Sequence, residues 1–427
     1  MRTHRNAATG GRPGSRLLGA IGVPLLARRT LVFGSIRSFA FGILETGPKT
    51  FFLLIAVRHF DAGDAVKTLV SLPQAFGLIA ALLVVAYLAR LPVRRSLVVA
   101  AAMALAAAGF FAAAAVSSLT WHVLWLIPAS ATGAVTLPLY TTIIKANYPA
   151  RLRGRLVAVE LVLAMLGSAL FHLLGGAILE SSGDRYRAVI TAYGIANLIA
   201  AGALLFVPSR RPRRAAGVRQ QSVSPLAALA LLWRDRAFGL TVGAWFLFGF
   251  GSLLVAPLRI LFLTEPRYGF DLPAVGVALI AGTVPDIMRL VCTPLWANLF
   301  DRFNFISVRV GLNLISVLSI VLFFQLHSVP AVIVGAALMG AFNAGGMLAW
   351  SLWVTRFADR ENTAAYMSVH TFATGMRMML GATVGIQLAS RAGAELVAWI
   401  AAGFVVLGTL ALLPLRRTEQ RFAAQAR

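Results

Sequence analysis

The stretch FGILETGPKTFF, residues 41–52, decides the reading of this chain. It lies near the middle of an apolar run from about Thr30 to Val57, long enough to cross a bilayer as a helix. Inside it Glu45 and Lys49 are four residues apart, on one helix face, with Gly47-Pro48 between them. Charges at hydrocarbon depth are costly and face a protein interior or a watery cavity. Gly47-Pro48 weakens the helix and frees a backbone carbonyl, which predicts a hinge or a binding site. The stretch recurs 209 positions on as FGSLLVAPLRIL, residues 250–261, where Phe41, Gly42, Leu44 and Pro48 reappear as Phe250, Gly251, Leu253 and Pro257. A repeat spaced by half the chain predicts two similar halves, with Pro257 as the second hinge candidate.

The rest of the chain agrees. Of 427 residues, 59% are hydrophobic and 13% charged, which excludes a soluble protein of this length. Twelve spans are predicted, at about 30–57, 68–89, 96–117, 121–144, 156–179, 187–207, 237–263, 273–298, 306–326, 329–354, 363–388 and 395–414. The single cysteine, Cys292, allows no internal disulfide. Net charge is +24, and its placement is uneven: 28 of the 39 Lys and Arg residues lie on the side that carries the termini, six on the other side and five within spans. This bias predicts cytoplasmic N- and C-termini in a cell (inner) membrane. The excess charge then reflects topology and anionic headgroups, so the bilayer and not nucleic acid is the expected partner. The expected layout is a basic tail (1–29), an N-terminal bundle (30–207), a cytoplasmic linker (208–236) that includes SRRPRRAAGVRQQSVSP, a C-terminal bundle (237–414) and a tail (415–427). The chain is expected to be a monomer.

Twelve spans in two sixes, termini on one side and a long basic central loop resemble the major facilitator superfamily, over about residues 30–414. That family carries a signature G-x-x-x-D-R-x-G-R-[RK] after its second span and a weaker copy after its eighth. The second copy is the clearer one here: Asp301-Arg302, with Arg309 further on. The first keeps Arg90, Arg94 and Arg95, but Ala89 stands where Asp is expected and Pro92-Val93 occupy the region of the second glycine. The resemblance implies an all-α membrane protein of twelve transmembrane helices in two pseudo-symmetric six-helix bundles. It also implies secondary active transport of a small solute by alternating access, and a cytoplasmic gate at the motif residues. Spans 1, 4, 7 and 10 are then expected to line the cavity, with spans 3, 6, 9 and 12 facing lipid.

The charges within spans supply the candidate site. Asp286 and Arg289, three apart, lie near the middle of span 8. Arg377, Thr374 and His370 share one face of span 11. Arg37 in span 1 and Arg259 in span 7 are weaker candidates, because either side chain can snorkel to an interface. Asn343 follows a small-residue stretch in span 10, which suits close packing or a cavity. Counting Glu45, Lys49 and Glu160, the interior holds a surplus of cations. That surplus predicts an organic anion as substrate. Glu160 and His370 hold corresponding places in spans 5 and 11, and with Glu45 or Asp286 they are the candidates for proton coupling. His172, alone on an apolar stretch, is expected to be structural. Trp350, Trp353 and Tyr366 are expected to be interface anchors.

The chain has no Walker loop, HExxH, Cys/His cluster or G-x-S-x-G. No enzyme activity, metal or cofactor is therefore expected. Two alternatives stay open: a proton-linked exporter of cationic or amphipathic compounds, and a non-transporting membrane sensor or assembly protein with the same fold.

Overall fold

The computed structural model describes residues 23–88, 93–181, 185–209, 229–353 and 363–414. The N-terminal tail to residue 22, the linker at 210–228, Arg90 of the first gate motif and the C-terminal tail lie outside them. The described residues form twelve long helices: α1 Leu25–Arg58, α2 Pro73–Leu88, α3 Arg95–Ala115, α4 Leu119–Asn147, α5 Ala150–Ser181, α6 Tyr186–Phe206, α7 Arg236–Thr264, α8 Ala274–Arg302, α9 Phe305–Gln325, α10 Val329–Leu352, α11 Thr363–Ala392 and α12 Ala394–Leu412. Ten of these are long and apolar enough to cross a membrane. The others are α2, described over 16 residues, and α11, which carries the His370–Thr374–Arg377 stripe. Crossings alternate, so α1 starts and α12 finishes at the same end of the molecule, here the terminal end; the opposite end is the far end.

Three of the helices are broken, and the breaks matter for function. In α1 the backbone widens into a π turn at Gly47–Phe51, where Pro48 has no N–H to give the regular ladder. In α7 the helix stops at Leu254 and restarts at Leu258 after Pro257. The two breaks fall on the repeated stretch, at equivalent positions. The third is a second π turn, Leu279–Thr283 in α8, which lies against the first.

Helices approach closely where glycine removes the side chain. α1 crosses α5 at Gly42 and Gly167: a Cβ on Gly42 would lie 1.9 Å from the carbonyl oxygen of Ala164, and one on Gly167 2.3 Å from that of Phe39. Buried contact between backbones is how membrane helices gain packing when lipid is as apolar as leucine. Starts and turns follow local chemistry. Asp235 caps α7 by accepting from the Phe238 N–H at 3.0 Å, and Asn304 caps α9 by accepting from Ile306 and Ser307. Gly393, at φ +83°, makes the tight turn from α11 to α12.

The expectation that span 9 faces lipid along its length does not hold. One stripe of α9 (Arg309, Asn313, Ser316 and Ser319) is buried, and three of these four residues line the central cavity. The spacing of four, three and three places them on one face.

Candidate functional site

A cavity of about 480 Å³ lies between the halves. Its wall comes mainly from α7 to α11; among the described residues the first half adds only Pro48, Lys49, Leu53, Ser71, Gln74 and His172. Both breaks of the repeat open onto it, through Pro48 and Pro257. Of the sequence candidates, Lys49, Arg259, Asp286, Arg289, Asn343, Thr374 and Arg377 line the cavity, while Glu45, Arg37, Glu160 and His370 do not.

The charged groups sort into two sets. The first is a chain of ion pairs at the junction of α1, α5 and α8. Lys49 Nζ lies 2.6 Å from Glu45 Oε2, Arg289 lies 3.9 Å from the same carboxylate oxygen, and Arg289 lies 3.3 Å from Asp286 Oδ1. Asp286 also accepts a hydrogen bond from Ser168 and has His172 Nδ1 at 3.4 Å. His172 Nε2 shares a hydrogen bond of 3.0 Å with Thr50 Oγ1. Two cations face two carboxylates, so with a neutral imidazole the set balances itself. His172 is therefore not the isolated side chain its apolar surroundings suggest. A Cβ on Gly282 would lie 2.1 Å from its ring, so the second π turn is packed directly on the imidazole.

The second set is cationic and unbalanced. Arg259, Arg309 and Arg377 line the cavity at 7%, 3% and 8% exposure, and none has a carboxylate partner among the described residues. Arg309 sits in a cage of aromatic faces, 4.1 Å from the ring centre of Phe248, 4.8 Å from Trp245 and 5.4 Å from Phe342. Arg377 donates one hydrogen bond, 2.8 Å, to the Trp245 carbonyl oxygen. The two guanidinium groups thus meet at one tryptophan. The Nε of all three arginines is buried with no hydrogen-bond partner among the described residues. Neither Arg37 nor Arg259 snorkels to an interface: both are buried, Arg37 with its guanidinium 3.6 Å from the ring centre of Tyr140.

Glu160 and His370, at equivalent places in the repeat, sit in unlike cages. Glu160 accepts from Tyr140 Oη (2.7 Å), Ser38 Oγ (3.2 Å) and Tyr148 Oη. Tyr148 lies in the turn between α4 and α5; burial, reinforced by Glu160, raises its phenol well above the usual range, so it stays a donor. His370 sits among the rings of Trp353, Trp350 and Trp245, 4.8–5.4 Å between centroids, and its Nε2 has no hydrogen-bond partner among the described residues. Trp350 lines the cavity and Trp353 is buried, so neither is an interface anchor.

The far end is closed by ion pairs between the halves. Lys67 reaches Glu265 at 2.9 Å and Arg58 lies 3.9 Å from Asp271; Glu180, 4.0 Å from Arg58 within the first half, accepts across the gap from the Ala274 N–H. Arg58 also donates to the Leu272 carbonyl oxygen. At the terminal end, Asp301 and Arg302 are exposed and Arg94 flanks the start of α3. None of the three makes an ion pair among the described residues.

A family model described as Major Facilitator Superfamily matches residues 34–292 and 268–427. The chain belongs to the major facilitator superfamily. It is a multi-pass secondary transporter that works by alternating access, and not an enzyme. A search of curated proteins gave no match. Solved structures of similar fold include a point mutant of the nucleoside transporter NupG, with TM-score 0.73, 15% identity, 90% of this chain and 99% of that one covered. A bacterial homologue of the human lysosomal transporter Spinster, inward-facing and unoccupied, gives TM-score 0.67 at 14% identity over 96% and 99% of the chains. The human organic anion transporter MFSD10 gives 0.64 at 17% identity over 91% and 100%.

The sequence places Arg309 with the second gate motif, near the terminal end of a span expected to face lipid; the structure places it on the cavity wall instead. The polar residues that recur along α9 at helical spacing were the signal for it.

Proposed function

We infer that this superfamily member carries a small organic anion, held in the cavity by Arg309 and Arg377 with Arg259 on a neighbouring wall. One observation supports this above the others: three buried guanidinium groups line the cavity with no carboxylate partner among the described residues. Guanidinium donors left empty in a low-dielectric space favour a carboxylate or phosphate, which takes two parallel N–H bonds. A cationic cargo finds less here. Glu45 and Asp286, the acids it would need, already hold Lys49 and Arg289. The neighbours of similar fold include both a nucleoside and an organic anion transporter, and at their identities they speak to the fold alone. The uneven Lys and Arg distribution supports an inner-membrane orientation with the terminal end cytoplasmic. The far-end ion pairs would then close the outward side.

The test is a thermal-shift screen of the purified protein against anionic, cationic and neutral metabolites at two pH values, because a ligand that binds the folded state raises its melting point. Stabilisation by one class of anion, lost in Arg309→Met and in Arg377→Ala, is expected. Stabilisation by cations alone, lost in Glu45→Gln, would replace this reading with cation export.

A further inference from the structure

We propose that His172 carries the coupling proton of this transporter, and that its protonation holds the two halves together at the midplane. This does not rest on the anion reading; it needs only the alternating-access fold.

His172 meets three conditions that no other described histidine meets together. It lines the cavity, so water brings it a proton. It is 1% exposed, so any charge on it must be answered locally. It touches both halves: its own α5 and Thr50 of α1 on one side, Asp286 and Gly282 of α8 on the other. His370, the other candidate imidazole, is enclosed by indoles and lies entirely within the second half.

The charges that face His172 are few. From α1 come Thr50, hydrogen-bonded to Nε2, and the Lys49–Glu45 pair; the Phe51 ring is stacked on the imidazole at 5.8 Å. From α8 come Asp286 and, behind it, Arg289. From its own helix, Ser168 donates to Asp286. Arg309 and Arg377 line the same cavity from α9 and α11 and make no contact with His172 among the described residues. Nδ1 faces Asp286 at 3.4 Å and has no hydrogen-bond partner among the described residues. With Nε2–H given to Thr50, Nδ1 is the remaining basic site, buried at the edge of the cavity. A proton from cavity water adds there, and the imidazolium then forms an ion pair with Asp286 across the halves. The carboxylate is now shared between His172 and Arg289, so its hold on Arg289 weakens. Loss of the proton to water reverses both changes. The two π turns, one on each side of the ring, are the backbone segments that give as the halves part.

One proton bound by the far-end-closed form makes the closed-to-open ratio rise by up to about tenfold for each unit fall in pH near the midpoint. The experiment uses the full chain in proteoliposomes, with Cys292→Ser and spin labels on Ser118→Cys and Ser328→Cys. Both positions are exposed in far-end turns of opposite halves. Distances between the labels are measured from pH 5.5 to 8.5. The long-distance population is expected to grow with pH in the parent. In His172→Gln it is expected to stay constant within about twofold, and in His370→Gln to follow the parent. Thr50→Val, which removes only the Nε2 partner, is expected to move the midpoint, and it serves if His172→Gln does not fold. A pH-independent parent, or an unmoved midpoint in His172→Gln or, where that variant does not fold, in Thr50→Val, overturns the proposal.

Discussion

If the α1–α5–α8 ion pairs form a self-balancing set, neutralising one member should do more harm than neutralising two. Asp286→Asn removes the carboxylate 3.3 Å from Arg289 and leaves that cation with Glu45, 3.9 Å away and already paired with Lys49. At an effective dielectric of about 20, the two separations correspond to about 5 and about 4 kcal/mol of gross attraction. Much of this offsets desolvation, and the observed loss on breaking a buried pair is about 3–5 kcal/mol. Arg289→Gln is expected to lose a similar amount by stranding Asp286. In the double variant the surviving Glu45–Lys49 pair is neutral, so the loss is expected to fall to about 1–3 kcal/mol, a coupling of at least about 2 kcal/mol. With about 1 °C per kcal/mol for a chain of 427 residues, each single variant should melt about 3–5 °C lower and the double less than half the summed drop. The assay is the fraction of monodisperse protein left after heating in detergent. Strictly additive losses, or a double variant worse than either single one, would refute the self-balancing reading. Glu45 and Asp286 would then be free for a cationic cargo.

Three further outcomes follow from the packing. Gly42→Val drives a side chain into the Ala164 carbonyl and should lower stability by at least about 1–3 kcal/mol, seen as loss of monodisperse protein. Gly243→Ala, which meets nothing within 4 Å, is the neutral comparison. Glu265→Gln breaks the Lys67 and Arg267 pairs at the far end and should raise the maleimide labelling rate of a buried Ala62→Cys several-fold; an unchanged rate would mean these pairs do not hold the closure. Tyr148→Phe removes a donor from Glu160 and should cost about 1.5–3 kcal/mol, but under about 1 kcal/mol in a Glu160→Gln background, measured by melting.

What was legible in the sequence was local or periodic. The breaks at Gly47-Pro48 and Ala256-Pro257 are visible because proline and glycine change the backbone where they stand. The Asp286–Arg289 pair is visible because three residues is one helical turn. Arg259 and Arg377 stand out because a charge in an apolar span is rare. What escaped depends on distant partners. Nothing near His172 in the chain announces Asp286, 114 residues on, and nothing near Glu160 announces the convergence of Ser38, Tyr140 and Tyr148 upon it. The π turn at Leu279–Thr283 has a local cause in Pro285, which gives no N–H to the Ala281 carbonyl, but the imidazole packed on Gly282 is not visible in the sequence. Arg309 reads as part of the gate motif in the sequence because it follows Asp301-Arg302 closely, and only the folded α9 turns it toward the cavity.

The lopsided wall of the cavity has a consequence for the transport cycle. A ligand moves a conformational equilibrium only as far as its affinity differs between the two states. Here the guanidinium groups, the aromatic cage and most of the lining belong to one bundle and travel with it. A cargo held there as proposed would be gripped nearly as well whichever way the other bundle tilts. It resembles a passenger seated on one bank of a drawbridge, adding little to the force that raises or lowers the span. A carrier built this way crosses loaded and empty at similar rates, and the decision to cross rests with the few groups of the first bundle that reach over the gap.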